Sequence, residues 1–310
     1  MSSKFKGRLV LRTPLITAGH KRKYVDKALY SEADAVILDL EDGAPPSLKS
    51  QARDLIREYL EYPICEKRLV FARLNSLETG LTGIDIKAVS HKNLDGFVIT
   101  KVYTAGEIVL LDKMLHDQEK KLGLEPDHFG VIVIMETPQS ILNAGEIVFA
   151  ANRISGVIYG AEDLLSDMEG FHAIDCRSLQ PSRSQVLMAA RAAGIMPIDT
   201  PYIQVGNDQG FRDFIQPGLE LGYEGILLIS PSQIPIAKER FTPDKEKVKE
   251  AYEMIKIARE NKQAQQGVAI AGKHFISPPT LKRAINLVAR YEAIKSFEKF
   301  ASVYINAKNS

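Results

Sequence analysis

Three carboxylates, Asp39, Glu41 and Asp42, fall within four positions where the apolar run of "VILDLEDGAPP" stops in a glycine and two prolines. Acids at that density gather oxygen ligands for a hard cation, or pair with a buried cation of the protein itself. Other apolar runs end in the same manner. "VFARLN" closes on Arg73 and Asn75, "FVITK" on Lys101, "VIVIME" on Glu136 and "VIYGAED" on Glu162 and Asp163. "MPID" carries Asp199, and "ILLIS" ends in Ser230. One such acid alone is well explained by the preference of Asp and Glu for the first turn of a following helix. Many run ends behaving alike point to a shared site.

The residue types limit the chemistry of that site. Two acids with room for water suit magnesium. The six histidines form no HxH or HExxH pattern, which argues against zinc. An arginine among acids suits a substrate that is itself a carboxylate, because guanidinium pairs with that group bidentately. Arg73 also reads as a buried ion-pair partner of Asp39 or Glu41. Lys101 reads equally as a second anion contact or as a partner of Glu41. A Schiff-base lysine needs an apolar or cationic surround to lower its pKa, and the acids expected around Lys101 would raise it. Gly160, in "YGAED", lets the backbone approach a ligand closely.

Positioning these residues requires strands that converge. Strands are predicted at 8–16, 35–39, 69–74, 96–100, 130–135, 156–160, 197–204 and 225–230, most of them apolar on both faces as buried parallel strands are. Helical spacing occupies 20–31, 47–61, 105–121, 138–151, 181–194 and 209–222. The alternation predicts a (β/α)8 TIM barrel, whose strand carboxyl ends all open on one face. A doubly wound sheet is the alternative, but no GxGxxG turn follows the first strand. Beyond residue 242 a charged helix (243–263), a Gly/Ala-rich hairpin (266–274) and a last helix from 278 form a C-terminal extension or lid.

Composition excludes several other classes. With 310 residues, 45% hydrophobic and 25% charged, the chain is long enough for a full core without disulfides. Its two cysteines, Cys65 and Cys176, form no CxxC pair. The net charge of +1 argues against nucleic-acid binding through bulk charge. No apolar run approaches the ~18–20 residues of a membrane span. The basic N-terminus lacks the apolar core of a signal peptide. A cytoplasmic protein with no membrane or nucleic-acid partner is expected.

With these residues assembled, the chain resembles the citrate lyase beta-subunit-like family of the aldolase and citrate lyase superfamily, whose members include malyl-CoA and citramalyl-CoA lyases. The resemblance is carried by "ADAVILDLEDGAPPSLKSQAR", through Lys49 and Arg53, and then in order by "ARLN", "ITKV", "IMETPQSILNAGEI" and "YGAEDLLSDM". It covers roughly residues 8 to 290. It implies Mg2+, or Mn2+, held by Glu136 and Asp163, with Arg73 gripping a substrate carboxylate. It implies support from Asp39, Glu41 and Asp42 around the metal waters and Arg73. Arg12, in "LRTPL", matches an arginine near the family's pocket, and Lys101 and Glu136 join the substrate contacts. It implies a small oxo- or hydroxy-acid substrate, free or as a CoA thioester, and a homotrimer or homohexamer in which the C-terminal segment closes a neighbour's site.

Four places depart from the pattern. A "DGKMID"-like motif is here "AGKHFIS", so the last acid, the acid/base of the thioester lyases, is Ser277, and the earlier acid is Ala271. Near the eighth strand, Ile226 and Ser230-Pro231 replace a lysine and a His-Pro pair. The first loop reads Ala18-Gly19-His20-Lys21-Arg22 in place of a Pro-Gly-Asn-x-Pro pattern. The expectation is a magnesium-dependent carbon–carbon lyase with an altered thioester half and with His20 or His274 as substitute bases. Its rivals are a thioester hydrolase or malate-synthase-like condensing enzyme, and a non-catalytic binder of oxo-acids and magnesium.

Overall fold

A computed structural model describes residues 9–171, 177–263, 269–271 and 274–305. They form two compact units, one of Leu11–Glu239 and the other of Leu9 and Val10 with the described residues from Arg240 onward. In the first unit eight strands follow chain order: β1 (Pro14–Ala18), β2 (Ala35–Asp39), β3 (Leu69–Arg73), β4 (Gly96–Ile99), β5 (Gly130–Met135), β6 (Ile154–Tyr159), β7 (Met196–Asp199) and β8 (Gly225–Ile226). Each pair of neighbours is parallel. The first and last strands meet as well: Ile16 N–H donates to the Leu228 carbonyl at 2.9 Å, and Leu228 N–H to the Pro14 carbonyl at 2.8 Å. The sheet therefore closes into a (β/α)8 barrel. Its strands are buried on both faces, as Val36, Ile37 and Leu38 are in β2.

Several strand limits differ from the sequence reading: β7 covers Met196–Asp199 rather than 197–204, and β1 and β8 differ for local reasons. β1 starts at Pro14 because the residues before it make lateral contacts. The Arg12 N–H and guanidinium donate to the Asp34 carboxylate at 2.8–2.9 Å, and Asp34 N–H donates to the Thr13 hydroxyl at 2.8 Å. β8 stops early because Ser230 opens a capped turn, in which the Gln233 side-chain oxygen accepts the Ile229 and Ser230 N–H groups. The helix expected over 138–151 is two short ones, Pro138–Leu142 and Ala144–Val148. Asn143 separates them, its side-chain amide donating to the Tyr103 carbonyl at 2.8 Å.

Arg12 needs correction as a substrate contact. It precedes β1, and its partner Asp34 precedes β2, so the pair lies at the amino end of the barrel, opposite the strand carboxyl ends. Both side chains are 2% exposed. Arg12→Leu strands a buried carboxylate and is expected to lower stability by roughly 3–5 kcal/mol. Denaturant titration measures this loss, and ligand binding by the folded fraction should match the parent protein.

In the second unit, the helices Lys245–Gln263 and Pro278–Ile305 accompany an antiparallel pair, β9 (Ala269–Ala271) and β10 (His274–Ile276). Ile276 packs with Met254, Ile257, Ala258 and Leu281. Ser277 caps the last helix: its N–H donates to the Thr280 hydroxyl at 2.8 Å, and its own hydroxyl lies 3.2 Å from the same oxygen. Of His274 only the backbone is described.

Candidate active site

β2 and β3 are in register at Asp39 and Arg73, so the last residue of each strand faces the other. Arg73 Nε donates to Asp39 Oδ1 at 2.7 Å and Nη2 to Oδ2 at 2.5 Å, a two-point fork. Asp39 also accepts the N–H groups of Glu41 and Gly43, each at 2.8 Å, and this folds the chain back just after the strand. A Cβ on Gly43 would lie 2.3 Å from Asp39 Oδ2, so the turn requires glycine. Glu41 then returns to the same arginine, with Oε2 2.9 Å from Arg73 Nη1. Its Oε1 lies 2.9 Å from Lys101 Nζ. Burial opposes the charge on Arg73, but Asp39 and Glu41 outweigh it and raise its pKa.

Lys101 links this cluster to the next acid. Its backbone N–H donates to Glu136 Oε1 at 2.8 Å, with φ at +50°, a left-handed conformation uncommon outside glycine. Glu136 follows β5 and is 3% exposed. Burial first, and then the charge of Asp163, push its pKa up to about 8. Asp163 lies in the first turn of the helix Ala161–Asp167 and shares a hydrogen bond with Glu136. Gly160, which precedes that helix, makes room for this side chain rather than for a ligand. A Cβ there would sit 2.4 Å from Glu136 Cβ and 3.1 Å from Oε2. Gly160→Ala is expected to displace Glu136 and weaken magnesium binding roughly 10- to 100-fold. Calorimetry with the metal alone checks this, and an unchanged affinity would contradict the packing argument.

Behind the acids lies a network that the sequence reading did not assemble. Lys49 Nζ donates to the Leu40 and Glu41 carbonyls at 2.9 and 3.0 Å and to Asn75 Oδ1 at 2.5 Å. Asn75 donates twice to Asp85 Oδ2, at 3.0 and 2.7 Å, and Arg53 Nε donates to Asp85 Oδ1 at 2.6 Å. Asp85 is fully buried. One signal in the sequence marks it: in "TGIDIKAV", Thr82, Asp85, Ile86 and Val89 share one helical face.

Two strand-end residues, Asp199 and Ser230, are not part of the cluster. Asp199 is fully buried and paired with Arg183 through both carboxylate oxygens, and burial pushes its pKa up. Ser230 serves its capped turn. Glu162 and Asp42 are exposed; the backbone N–H of Asp42 donates to Glu41 Oε2 at 3.2 Å. His20 is partly exposed.

Among the described residues no three His, Cys, Asp or Glu side chains are placed to hold a metal. Both oxygens of Asp39 and both of Glu41 already face protein donors. Glu136 and Asp163 remain. Two crowded carboxylates, one of them deeply buried, form a donor set that a divalent cation relieves. Magnesium is commonly bound by one or two carboxylates, with water and substrate completing its octahedron.

Comparison with known proteins identifies the family and the fold. The family model for HpcH/HpaI aldolase/citrate lyase matches residues 12–231. The citrate lyase subunit beta of Leuconostoc mesenteroides subsp. cremoris is 30% identical over 273 residues, 88% of this chain and 90% of that protein. A (3S)-malyl-CoA thioesterase of Cereibacter sphaeroides is 30% identical over 286 residues, 92% of this chain and 96% of that protein. Among solved structures, a citrate lyase from Burkholderia xenovorans LB400 superposes with a TM-score of 0.80 at 17% identity, covering 93% of each chain. The citrate lyase beta subunit of Mycobacterium tuberculosis, complexed with oxaloacetate and magnesium, gives 0.64 at 26% identity, covering 76% of this chain and 99% of that one. The barrel, the order of its strand-end motifs and these matches together place the chain in the HpcH/HpaI aldolase/citrate lyase family.

Proposed function

We propose that the protein is a magnesium-dependent carbon–carbon lyase acting on a small 2-oxo or 2-hydroxy acid or its thioester. The observation that carries this reading is the adjacency of the Glu136–Asp163 pair, with Glu136 buried, to an arginine clamped by two carboxylates. Glu136 and Asp163 are the proposed metal ligands. A magnesium ion bound there supplies Lewis-acid polarisation of a substrate oxygen where charge develops on cleavage. Arg73 binds the acid end of the substrate, and Asp39 and Glu41 fix its plane so that the breaking bond keeps one orientation. A relative of known structure is complexed with oxaloacetate and magnesium, which supports a magnesium-bound oxo-acid as the kind of ligand.

Cleavage also needs a base for the hydroxyl proton. Ser277 has no carboxylate, and its hydroxyl serves a helix cap. The base therefore differs from the family's C-terminal acid. His20 is our candidate for it, and Ser277→Asp tests whether an acid there adds thioester cleavage. A second reading, thioester hydrolysis, is favoured by the thioesterase relative. Product analysis with malyl-CoA and magnesium separates the two. Glyoxylate and acetyl-CoA indicate a lyase; malate and free CoA indicate a hydrolase.

A further inference from the structure

Lys101 touches both halves of the site, each through an acid. Its N–H holds Glu136 Oε1 and its Nζ holds Glu41 Oε1. Glu41 Oε2 is held separately, by Arg73 and by the Asp42 N–H. The Glu41 carboxylate thus lies within the span of one lysine from Glu136, and among the described residues its Oε1 faces only the Lys101 ammonium. Without that ammonium, Glu41 Oε1 is an anionic oxygen that has lost its donor, on a side chain linked to Glu136 through one lysine.

We propose that Lys101 is a positioning residue that keeps Glu41 out of the cation's coordination sphere, which leaves two protein carboxylates and open positions for a chelating acid. This rests on the reading of Glu136 and Asp163 as the cation's ligands. The physical consequence is metal choice. Calcium takes six to eight oxygens and gains affinity with each carboxylate, whereas magnesium keeps water or substrate in most of its six positions. A third carboxylate therefore favours calcium and competes with the substrate. The left-handed backbone fits the same role, because it lets one residue aim its N–H at one acid and its side chain at another.

Calorimetric titration of the full chain with magnesium alone, calcium alone, and pyruvate in saturating magnesium tests this. Lys101→Met is expected to bind calcium roughly 10-fold tighter than the parent and pyruvate roughly 10-fold more weakly. Lys101→Gly accepts the left-handed backbone, keeps the N–H and should behave alike, which guards against a folding defect. Adding Glu41→Gln to Lys101→Met should return calcium affinity to near the parent value. Calcium affinity that stays level or falls in both single variants overturns the proposal, as does a gain that survives Glu41→Gln. If the parent protein binds neither cation, the ligand assignment itself has failed. Magnesium binding by the parent with unchanged selectivity in the variants sinks the Lys101 role alone.

Discussion

Glu136→Gln is expected to abolish magnesium-dependent oxo-acid binding and, without metal, to make the protein more stable than its parent at pH 9. The first effect follows from removing one of the two proposed protein ligands, with an expected loss of at least roughly 100-fold in metal affinity. The second follows from linkage. Glu136 has a folded pKa of about 8 against an ordinary value of 4.5, because burial and then Asp163 disfavour its charge. Between those values the folded state binds the proton that the unfolded state has released. Stability therefore falls as pH rises through this window and levels off above pH 8. Glutamine never ionises and avoids the penalty. At about 1.4 kcal/mol per pKa unit, the advantage at pH 9 is on the order of 5 kcal/mol. That corresponds to a melting temperature roughly 5–10 °C higher. At pH 4 the two proteins should melt together. Saturating magnesium should shrink the pH 9 difference, because it binds the folded parent and not the variant. A variant less stable than its parent at pH 9 without metal would show that Glu136 is a structural acid.

Arg73→Lys is expected to keep the fold and lose the activity. Lysine restores one positive charge but cannot span Asp39 with two parallel N–H donors while also facing Glu41. The acid end of the substrate then loses its fixed plane, and kcat/KM should fall roughly 10^2- to 10^3-fold. Arg73→Ala separates the two roles. It leaves Asp39 and Glu41, 4% and 7% exposed, without their shared cation. It should cost about 3–5 kcal/mol of stability in addition to activity. Steady-state kinetics alongside chemical denaturation of both variants checks this. Equal loss of stability in both would assign Arg73 to the fold alone.

The residues of this site differ in how far the sequence reveals them. β2 is plain because Val36, Ile37 and Leu38 are apolar on both faces and Gly43 and two prolines end the run. β8 is overread because Leu227 and Leu228 are as buried as strand residues, yet the chain already turns toward the Ser230 cap. Arg12 is misplaced because the resemblance put it near the pocket, when it lies before the first strand and pairs with Asp34. The acid cluster shows in the sequence as composition, but the distribution of charges does not. Whether Arg73 and Lys101 face substrate or Glu41 depends on register and on a left-handed backbone at a residue that is not glycine. Asp199 looks like a site acid at its strand end and is instead held by Arg183, which lies 16 residues earlier on a helix.

Glu136, Asp163 and Arg73 are proposed to form one working site for a metal-chelated oxo-acid. Calorimetric titration of oxaloacetate and pyruvate, with and without magnesium, tests it most directly. Binding of an oxo-acid in the presence of magnesium, absent without it and absent from Glu136→Gln, is the result this account predicts. Oxo-acid binding that is indifferent to magnesium, or retained in Glu136→Gln, would contradict it.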